Sequence, residues 1–332
     1  RWRFDLRGVL VAGRYAAGLL LVGRAPRAAV RGVVDPGGGG DRDLYAAMVE
    51  QGWTALVVPE AAGGVGLGWV EGAVLAEAVG AHLAPAPILG ALVAGEALVG
   101  KQWLDGLLEG SLVVAVSDDA RAPVPFAPSA GLVVARDGDE VVAWVPGGVD
   151  AQPAMDLTRE LGWCPRPDDG VTRLDADAGR FRDTGAVAHA AELLGICDRA
   201  LQLTVEYAKE RVQFDKPIGS FQAVKHRCAD MLVDVEAMRS VVYWAAWCLA
   251  AEDPDREVAA ATAKSWCADA SRRVLASALQ VHGGIGFTWE ADVHLFLKRA
   301  HLDQLEFGDA VSHRARLGAI LRDRVAAGES II

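Results

Sequence analysis

The sequence has few cysteines, and their spacing argues against both disulfide bonds and a cysteine-ligated metal site. Its 332 residues include five cysteines, none of them in a CxxC arrangement. Four of the five fall within helical patterns, where free cysteine behaves as a small buried apolar residue. We therefore expect reduced thiols rather than disulfides or a metal site. The cysteines are Cys164, Cys197, Cys228, Cys248 and Cys267.

Positive charge is also scarce. The chain has 33 lysines and arginines against 44 aspartates and glutamates, which gives a formal net charge of −11. A nucleic-acid-binding protein needs a concentrated basic face to neutralise phosphates. The sequence shows no such face, so we exclude a nucleic-acid partner.

Long uninterrupted apolar runs are missing as well. The run GVLVAGRYAAGLLLVG near the start is cut by Arg14 and is shorter than the roughly 20 residues that cross a bilayer. Arg1, Arg3 and Arg7 precede it, as in a signal peptide, but no clear small-residue cleavage site follows. We therefore expect a cytoplasmic protein that does not insert into a membrane.

The residues that are present predict a globular protein of two or three domains. The chain is 52% hydrophobic and 23% charged, which is typical of globular proteins, and its length allows two or three domains. A flexible break, PGGGG, occupies residues 36–40. Helices are predicted over residues 41–51, 69–80 and 87–109 from their apolar patterns.

The pattern then changes twice along the chain. Residues 111–185 contain short β-branched runs separated by turn signals, and the Asp137-Gly138 pair predicts a β-hairpin. From Thr184 onward a helical period dominates. The predicted helices cover residues 184–211, 221–251, 256–282, 292 onward and 310–327, which together form an antiparallel bundle.

A cluster of glycines in the first part of the chain resembles a phosphate loop only superficially. Gly63, Gly64, Gly66 and Gly68 lie in GWTALVVPEAAGGVGLG. Their spacing does not match GxGxxG between a strand and a helix, and no Lys-Ser or Lys-Thr pair follows. We interpret this loop as structural.

Two stretches in the second half of the chain contain candidate ligand-binding residues. The first, RVQFDKPIGSFQAVKHRCAD at residues 211–230, begins with an arginine and an aromatic residue and turns before a new helix. The second, QVHGGIGFTWE at residues 280–290, places an amide before two glycines. Arginine grips phosphate in a bidentate manner, and glycine lets a backbone approach a ligand closely. The pair indicates a site for an extended phosphate-bearing cofactor, with a solvated helical turn as the alternative.

In residue type and order, these stretches resemble the C-terminal half of the acyl-CoA dehydrogenase family. The resemblance covers residues 187–321, and a weaker one covers residues 52–68. It implies an α+β, mostly α fold with an N-terminal helical domain, a small middle β-domain and a C-terminal antiparallel four-helix bundle. On this basis we assign residues 1–110, 111–185 and 186–332 to the three domains.

The resemblance also implies FAD as the cofactor. In the family each FAD is shared across a dimer interface, and the neighbouring subunit holds its ADP end. Asp215 here replaces the usual glycine after Phe214, with Lys216 beside it to offset the charge. The positions that match the family's ADP-binding residues are Arg211, Gln213, Phe214, Ile218, Phe221, Gln222, Gln280, Val281 and Gly284.

The family's catalytic carboxylate, in contrast, is missing from both places where members carry it. An ungapped count puts Phe307 at one of these positions and Gly185 at the other. We therefore predict no catalytic residue in this chain. The alternative is a shifted base, Glu306 or Asp309, although the same count turns Glu306 away from the substrate.

The middle domain is reduced relative to the family. The first predicted strand is followed by SDDARAPVPFAPSAG rather than a T-E-x-x-x-G-S-D-like loop, and the aromatic-Ile-Thr-Gly loop that packs on the flavin is missing. His294 and His301, spaced i and i+7 on one helix, are interpreted as packing residues rather than metal ligands.

These observations lead to one hypothesis and two alternatives. The resemblance favours the degenerate subunit of a heterotetrameric acyl-CoA dehydrogenase, similar to those of actinobacterial sterol breakdown. Such a chain would donate FAD-binding residues to a catalytic partner subunit. The complex would desaturate an acyl-CoA, with a steroid side-chain CoA among the candidates, and pass electrons to an electron-transfer flavoprotein. The alternatives are a complete homomeric enzyme and a flavin-free scaffold.

Overall fold

The computed structural model describes residue 18 and residues 20–329. The early apolar run and the three arginines that precede it lie largely outside these residues. Residues 20–24 are helical, and the next helices are α1 (Arg27–Val34) and α2 (Arg42–Glu50). The Asp41 side chain caps α2 by accepting a hydrogen bond from the Leu44 backbone N–H at 2.9 Å, which satisfies one of the free donors of its first turn.

Three further helices complete the N-terminal part: α3 (Trp69–Ala81), α4 (Ile88–Gly95) and α5 (Leu104–Leu108). The prediction of one helix over residues 87–109 is wrong. The chain passes from α4 into a 3-10 turn, Glu96–Leu98, and Gly100 then adopts a positive φ of 73°. A left-handed glycine cannot continue an α-helix, so α5 starts as a separate short element.

Seven short strands form the middle of the chain, as two small sheets. One sheet has the order β1-β3-β4-β7, with β1 parallel to β3 and the other pairs antiparallel, and the second has the antiparallel order β2-β6-β5. The strands are β1 (Val114–Ser117), β2 (Val124–Pro125), β3 (Leu132–Asp137), β4 (Glu140–Trp144), β5 (Asp150–Gln152), β6 (Leu161–Trp163) and β7 (Thr172–Arg173).

The predicted hairpin at Asp137-Gly138 is confirmed. Asp137 pairs with Glu140 across a two-residue turn, and Gly138 has a φ of 65°. Positive φ at this position is what a two-residue hairpin turn requires, and glycine adopts it without strain.

Long helices make up the remainder of the chain. They are α6 (Ala178–Glu210), α7 (Gln222–Ala250), α8 (Arg256–His282), α9 (Val293–Asp303) and α10 (Ala310–Ala326). Helix α8 packs against α6, α7, α9 and α10, and α6 also packs against α7, so the helices form one bundle. This mostly helical α+β arrangement confirms the predicted fold class.

The first bundle helix starts earlier than its apolar pattern indicated. It begins at Ala178 rather than Thr184, and the Asp177 carboxylate caps it by accepting from the Arg180 backbone N–H. The first turn, AGRFRD, is largely polar, so the apolar period becomes visible only one to two turns later. The domain boundary predicted between residues 185 and 186 therefore falls inside α6 and stays a prediction.

Small residues allow α3 and α6 to touch along their backbones. A Cβ at Gly195 would lie 1.8 Å from the Glu77 carbonyl oxygen, and one at Gly80 would lie 2.2 Å from the Glu192 carbonyl oxygen. Any side chain at either position would push the helices apart. This close contact ties the N-terminal helices to the bundle, and their buried apolar residues form one continuous core.

A second, smaller apolar cluster lies inside the middle strands and includes Val133, Val142 and Trp144. None of the helices in the described part of the chain combines the length and the apolar character that crossing a membrane requires.

Candidate functional site

The predicted cofactor residues lie at one end of the bundle. We call residues 211–222 the hairpin segment and residues 280–284 the glycine turn. The hairpin segment contains strands β8 (Val212–Gln213) and β9 (Lys216–Pro217), joined by Phe214 and Asp215. The glycine turn closes α8.

The tip of the hairpin segment is conformationally constrained. Phe214 and Asp215 have φ values of 55° and 62°, so both adopt the left-handed region that two-residue hairpin turns demand. Glycine or asparagine is the usual residue there, and other residues adopt it at a cost of about 1–3 kcal/mol. The substitution noted in the sequence, Asp215 for glycine, therefore adds backbone strain as well as charge.

Aromatic contacts fix the shape of the hairpin segment. The Phe214 and Phe221 rings meet edge to face at 6.0 Å, and the Lys216 ammonium lies 4.5 Å from the Phe221 ring centroid. The Ile218 backbone N–H donates to the Arg211 carbonyl oxygen at 2.8 Å. These contacts hold the segment as a compact projection, and Phe214 at its tip is 86% exposed.

The two segments are neighbours in space. Tyr207, in the last turn of α6, stacks on His282, the last residue of α8, with ring centroids 4.6 Å apart and planes inclined by 16°. Arg211 follows Tyr207 by one helical turn, and Gln280 precedes His282 by two residues. The structure thus brings the two predicted halves of the site together.

The polar groups of this region are free to bind a ligand. Arg211 is exposed, and no described residue accepts a hydrogen bond from its guanidinium. Gln280 is likewise exposed, and its side-chain amide makes no hydrogen bond within the described residues. In the glycine turn, Gly283 has a φ of 65°, and a Cβ at Gly283 or Gly284 would meet nothing within 4 Å.

These features fit the ADP end of FAD. An unpaired guanidinium suits a pyrophosphate, and an open glycine backbone allows the close approach of a phosphate or ribose. Ile218 is half-buried and Val281 is buried, so these two support the site rather than face a ligand. The predicted residues that project outward are Arg211, Gln213, Phe214, Gln222, Gln280 and Gly284.

The two positions that the resemblance predicts for the family's base, Gly185 and Phe307, meet at a different place, inside the protein. A Cβ built at Gly185, on α6, would lie 2.1 Å from Cδ1 of the Phe307 ring. Phe307 is 2% exposed, and its ring also packs on Phe181 at 5.7 Å and on His189 at 5.6 Å. The Phe307 ring therefore occupies the space that a side chain at position 185 would take.

A small cavity lies beside Phe307. Its volume is about 30 Å³, enough for roughly one or two water molecules. Apolar residues of α4 and β1 form one wall, and Arg159, His189 and Glu306 belong to the other. Glu306 thus faces this cavity, and burial raises the pKa of its carboxyl to about 7.

The second alternative base has a different role. The Asp309 carboxylate caps α10 by accepting from the Ser312 backbone N–H at 2.8 Å. Asp309 is exposed, and this hydrogen bond lowers the pKa of its carboxyl below the usual range. Asp309 does not line the cavity, so only Glu306 of the two alternatives faces it.

A buried charge network fills the interior behind the cavity. Arg299 donates to Asp156 and to Glu192, both at 2.7 Å. Arg159 donates to Glu192 at 2.5 Å and to Asp303 at 2.6 Å. Three carboxylates thus share two guanidiniums in a water-poor interior, where such pairs persist only with good geometry and additional hydrogen bonds.

A buried lysine balances the remaining charge and fixes the loop after α9. The Lys264 ammonium donates to the carbonyl oxygens of Asp303, Gln304 and Gly308 at 3.0, 3.0 and 2.8 Å. Burial lowers the pKa of Lys264 to about 8. Lys264 therefore holds the loop that carries Glu306 and Phe307.

Three residues of the network also have metal-ligand geometry. Ligand atoms of His189, Glu192 and Asp303 lie within 4.8 Å of one another. However, Arg159 already bonds to both of these carboxylates. A cation there would have to displace a buried guanidinium, so we interpret the cluster as part of the charge network. His294 packs on Trp289 at 5.2 Å, consistent with its interpretation as a packing residue.

Comparison with known proteins identifies the family. Residues 28–110 match the domain described as acyl-CoA dehydrogenase, N-terminal domain, and residues 179–321 match acyl-CoA dehydrogenase, C-terminal domain. The chain belongs to the acyl-CoA dehydrogenase family. Members of the family are flavin-dependent, which the exposed segments described above accommodate.

Individual relatives cover most of the chain. Acyl-CoA dehydrogenase IpdE2 of Mycolicibacterium smegmatis is 38% identical over 277 residues, which span 82% of this chain and 86% of that protein. IpdE2 of Mycobacterium tuberculosis is 39% identical over 288 residues, which span 85% of this chain and 87% of that protein.

Solved structures with this fold include heteromeric ones. A Tcur3481-Tcur3483 steroid ACAD variant superposes with a TM-score of 0.84 at 27% identity, covering 97% of this chain and all of that one. The ChsE4-ChsE5 complex from Mycobacterium tuberculosis gives a TM-score of 0.84 at 26% identity and covers 95% of this chain and 97% of that one.

Sequence reasoning missed the buried charge network of this acyl-CoA dehydrogenase family member. A signal was present, because Lys264 lies in the alanine-rich stretch AATAKSWCA and Glu192 lies between Ala190-Ala191 and Leu193-Leu194 in α6. Charged residues in such surroundings are rarely buried unless they are paired. Paired members of the network, however, lie up to 144 residues apart in the chain, as Arg159 and Asp303 do, and no local pattern connects them.

Proposed function

We propose that this chain is the non-catalytic subunit of a hetero-oligomeric, FAD-dependent acyl-CoA dehydrogenase. It contributes the hairpin segment and the glycine turn to FAD bound largely by a catalytic partner subunit. The observation that supports the proposal is the Phe307 ring, which fills the space at Gly185, because these are the two positions that the resemblance assigns to the family's base.

The small volume of the interior beside Phe307 supports the proposal that catalysis takes place in the partner subunit. Binding sites for small molecules and cofactors have volumes of about 300–1,000 Å³. The cavity that Glu306 and His189 line measures about 30 Å³, and the charge network closes its far side. A flavin ring and an acyl chain would have to displace side chains from both walls.

The exposed end of the bundle supports the second half of the proposal. Arg211 would grip the pyrophosphate of FAD, Gln280 would donate its amide to a polar oxygen, and Gly284 would let the backbone approach. FAD, when bound, supplies the acceptor for the hydride removed from the β-carbon of the acyl group. The residues of this chain would bind and orient that cofactor without touching the reacting atoms.

Exposed apolar side chains support a partner subunit. Phe214, Phe287 and Val233 are 86%, 76% and 69% exposed, and Trp244 and Trp247 of α7 are 38% and 43% exposed. Exposed apolar and aromatic side chains of this kind are characteristic of protein–protein interfaces. The partner we propose is a second acyl-CoA dehydrogenase subunit, in a heterotetramer.

The relatives guide the choice of substrate and electron acceptor. Because the Tcur3481-Tcur3483 protein is described as a steroid ACAD, we propose an acyl-CoA with a steroid-derived acyl group. We expect an electron-transfer flavoprotein to accept the electrons, as the family resemblance implies.

We also propose a cytoplasmic location. The five cysteines are all free thiols in the structure, as is usual for proteins of a reducing compartment.

A second candidate function is a complete homomeric enzyme with Glu306 as the base. One observation favours it: Glu306 lines the cavity, and its pKa of about 7 is suited to a general base. In this case the cavity would have to widen when flavin and substrate bind.

Flavin content and composition of the purified protein decide between these functions. The chain should be expressed alone and together with each acyl-CoA dehydrogenase gene encoded near it. We expect flavin and dehydrogenation of steroid-derived acyl-CoA only in a two-subunit complex. Dehydrogenation by the isolated chain at a kcat on the order of 10 s⁻¹ would establish the homomeric enzyme instead. A catalytically active complex whose flavin does not contact this chain would leave it a scaffold.

A further inference from the structure

The two segments of the proposed FAD site belong to different helices, and one aromatic contact joins the helix ends. The Tyr207 and His282 rings stack at 4.6 Å. The Arg211 backbone N–H donates to the Tyr207 carbonyl oxygen at 2.9 Å, so a single helical turn links the stack to the guanidinium. On the other side, the Gly283 backbone N–H donates to the Gln280 carbonyl oxygen, which links the stack to the glycine turn.

The orientation of the His282 ring is fixed from a second direction. Its Nδ1 lies 2.8 Å from the Ala278 carbonyl oxygen. A carbonyl oxygen only accepts, so Nδ1 carries the proton and donates it. One edge of the ring is therefore held by the backbone of α8, and one face is held by Tyr207.

We infer that the Tyr207–His282 pair is a positioning device that keeps Arg211 and the glycine turn in register for FAD. The inference rests on the proposed function. A guanidinium on one helix and a backbone on another can grip the same ligand only if their separation is constant, and small displacements weaken such contacts steeply. The stack lies one helical turn from Arg211 and directly before the two glycines of the glycine turn.

The fold itself does not depend on this contact. Both rings are only half-buried. The packing of α6 on α8 relies on fully buried residues farther along the helices, among them Leu194, Cys197 and Cys267. Loss of the stack should therefore loosen the end of the bundle without unfolding it.

The test is FAD affinity of the assembly as isolated, stripped of flavin and titrated with FAD by fluorescence. We expect Tyr207→Ala and His282→Ala each to raise the Kd about twofold to tenfold, the range that corresponds to loss of one aromatic pair. Tyr207→Phe keeps the ring and should bind FAD like the parent. The double alanine variant should bind no worse than either single one, because both remove the same contact.

The chain offers a matched control in His82. This histidine caps the end of α3, and its Nδ1 bonds to the Ala78 carbonyl oxygen at 3.0 Å, the same local arrangement as in His282. His82→Ala should change the melting temperature about as much as His282→Ala and leave the Kd for FAD unchanged. Parent-like affinity in both stack variants, or an equal rise in Kd from His82→Ala, would overturn the inference.

Arg211→Ala, measured in parallel, separates two kinds of failure. If it weakens FAD binding and the stack variants do not, only the positioning role is wrong. If neither it nor the stack variants change the Kd, the proposed contribution to FAD binding fails, and the positioning role fails with it.

Discussion

Replacement of Arg211 by alanine should remove FAD from the complex while the subunits stay associated. The guanidinium stands at the end of α6, exposed, and none of the described residues is bonded to it. Its removal therefore costs the folded chain little, within about 0.5 kcal/mol, which is typical of an exposed substitution. Any larger effect must come from a ligand.

The expected magnitude follows from the chemistry of the contact. A charge-assisted hydrogen bond to a phosphate contributes about 1.5–3 kcal/mol. Since about 1.4 kcal/mol corresponds to a factor of ten, the Kd for FAD should rise by about one to two orders of magnitude. Arg211→Lys keeps the charge but loses the planar fork, so it should recover only part of the affinity.

The assay is flavin absorbance per complex after gel filtration, followed by titration of FAD into the stripped complex. Arg322→Ala serves as the control, because Arg322 is also an exposed arginine near the end of a helix, α10, and has no ion pair within the described residues. If the Arg211→Ala complex keeps full flavin at low cofactor concentration, Arg211 does not bind the phosphates. Donation of cofactor-binding residues to a partner would then lose its main support.

Three further variants test the interior beside Phe307. Glu306→Gln should leave the activity of the complex close to that of the parent, whereas loss of a true base would lower kcat by orders of magnitude. Burial raises the pKa of the Glu306 carboxyl to about 7, so its contribution to stability is present below about pH 4.5 and is lost as the pH rises through 7. The Glu306→Gln variant should therefore be more stable than the parent by about 1–3 kcal/mol at pH 8 and equal to it at pH 4, as measured by urea unfolding. Lys264→Met should lower the free energy of unfolding by about 3 kcal/mol or more, since it leaves three carbonyl oxygens without their donor. The control Lys225→Met, on the exposed face of α7, should lower it by less than about 0.5 kcal/mol. Equal effects of the two substitutions would contradict the role given to Lys264. Phe307→Ala should cost about 3–5 kcal/mol through the cavity it creates, and a cost below about 1 kcal/mol would show that the ring is not packed against α6.

Much of the fold is predictable from local patterns. The sequence predicts helix α8 with the observed ends, because Asp253-Pro254 precedes it and Gly283 ends it. The β3–β4 hairpin follows from its Asp-Gly pair in the same way. The errors occur where the chain departs from periodicity. One is the break after α4, where Gly100 turns the chain, and the other is the polar first turn of α6.

In the candidate site, too, the parts that depend on local sequence are predictable and the parts that depend on long-range contacts are not. The hairpin segment and the glycine turn are each contiguous in sequence, so a local residue pattern is enough to name their members. The interior depends on long-range contacts. The charge network joins Arg299 of α9 to Asp156, 143 residues earlier, and no local pattern predicts that pairing. The direction of Glu306 is also not predictable, because the turn before α10 contains Phe307 at a φ of 54°.

The contact between Phe307 and Gly185 bears on the proposed absence of a catalytic base. In sequence the two positions are 122 residues apart, and the resemblance predicts each of them as a place for the family's carboxylate. In the structure they share one volume, because a Cβ at position 185 would overlap the Phe307 ring. A large side chain at either position therefore requires a small one at the other. Filling that volume with an apolar ring excludes a carboxylate from both positions at once, and it stabilises the chain through the buried contact with Phe181 and His189. The exposed FAD-binding segments are under no such constraint, since they lie at the end of the bundle and not around this volume. A subunit can thus exchange its own chemistry for a packed core and still present Arg211 and the glycine turn to a partner.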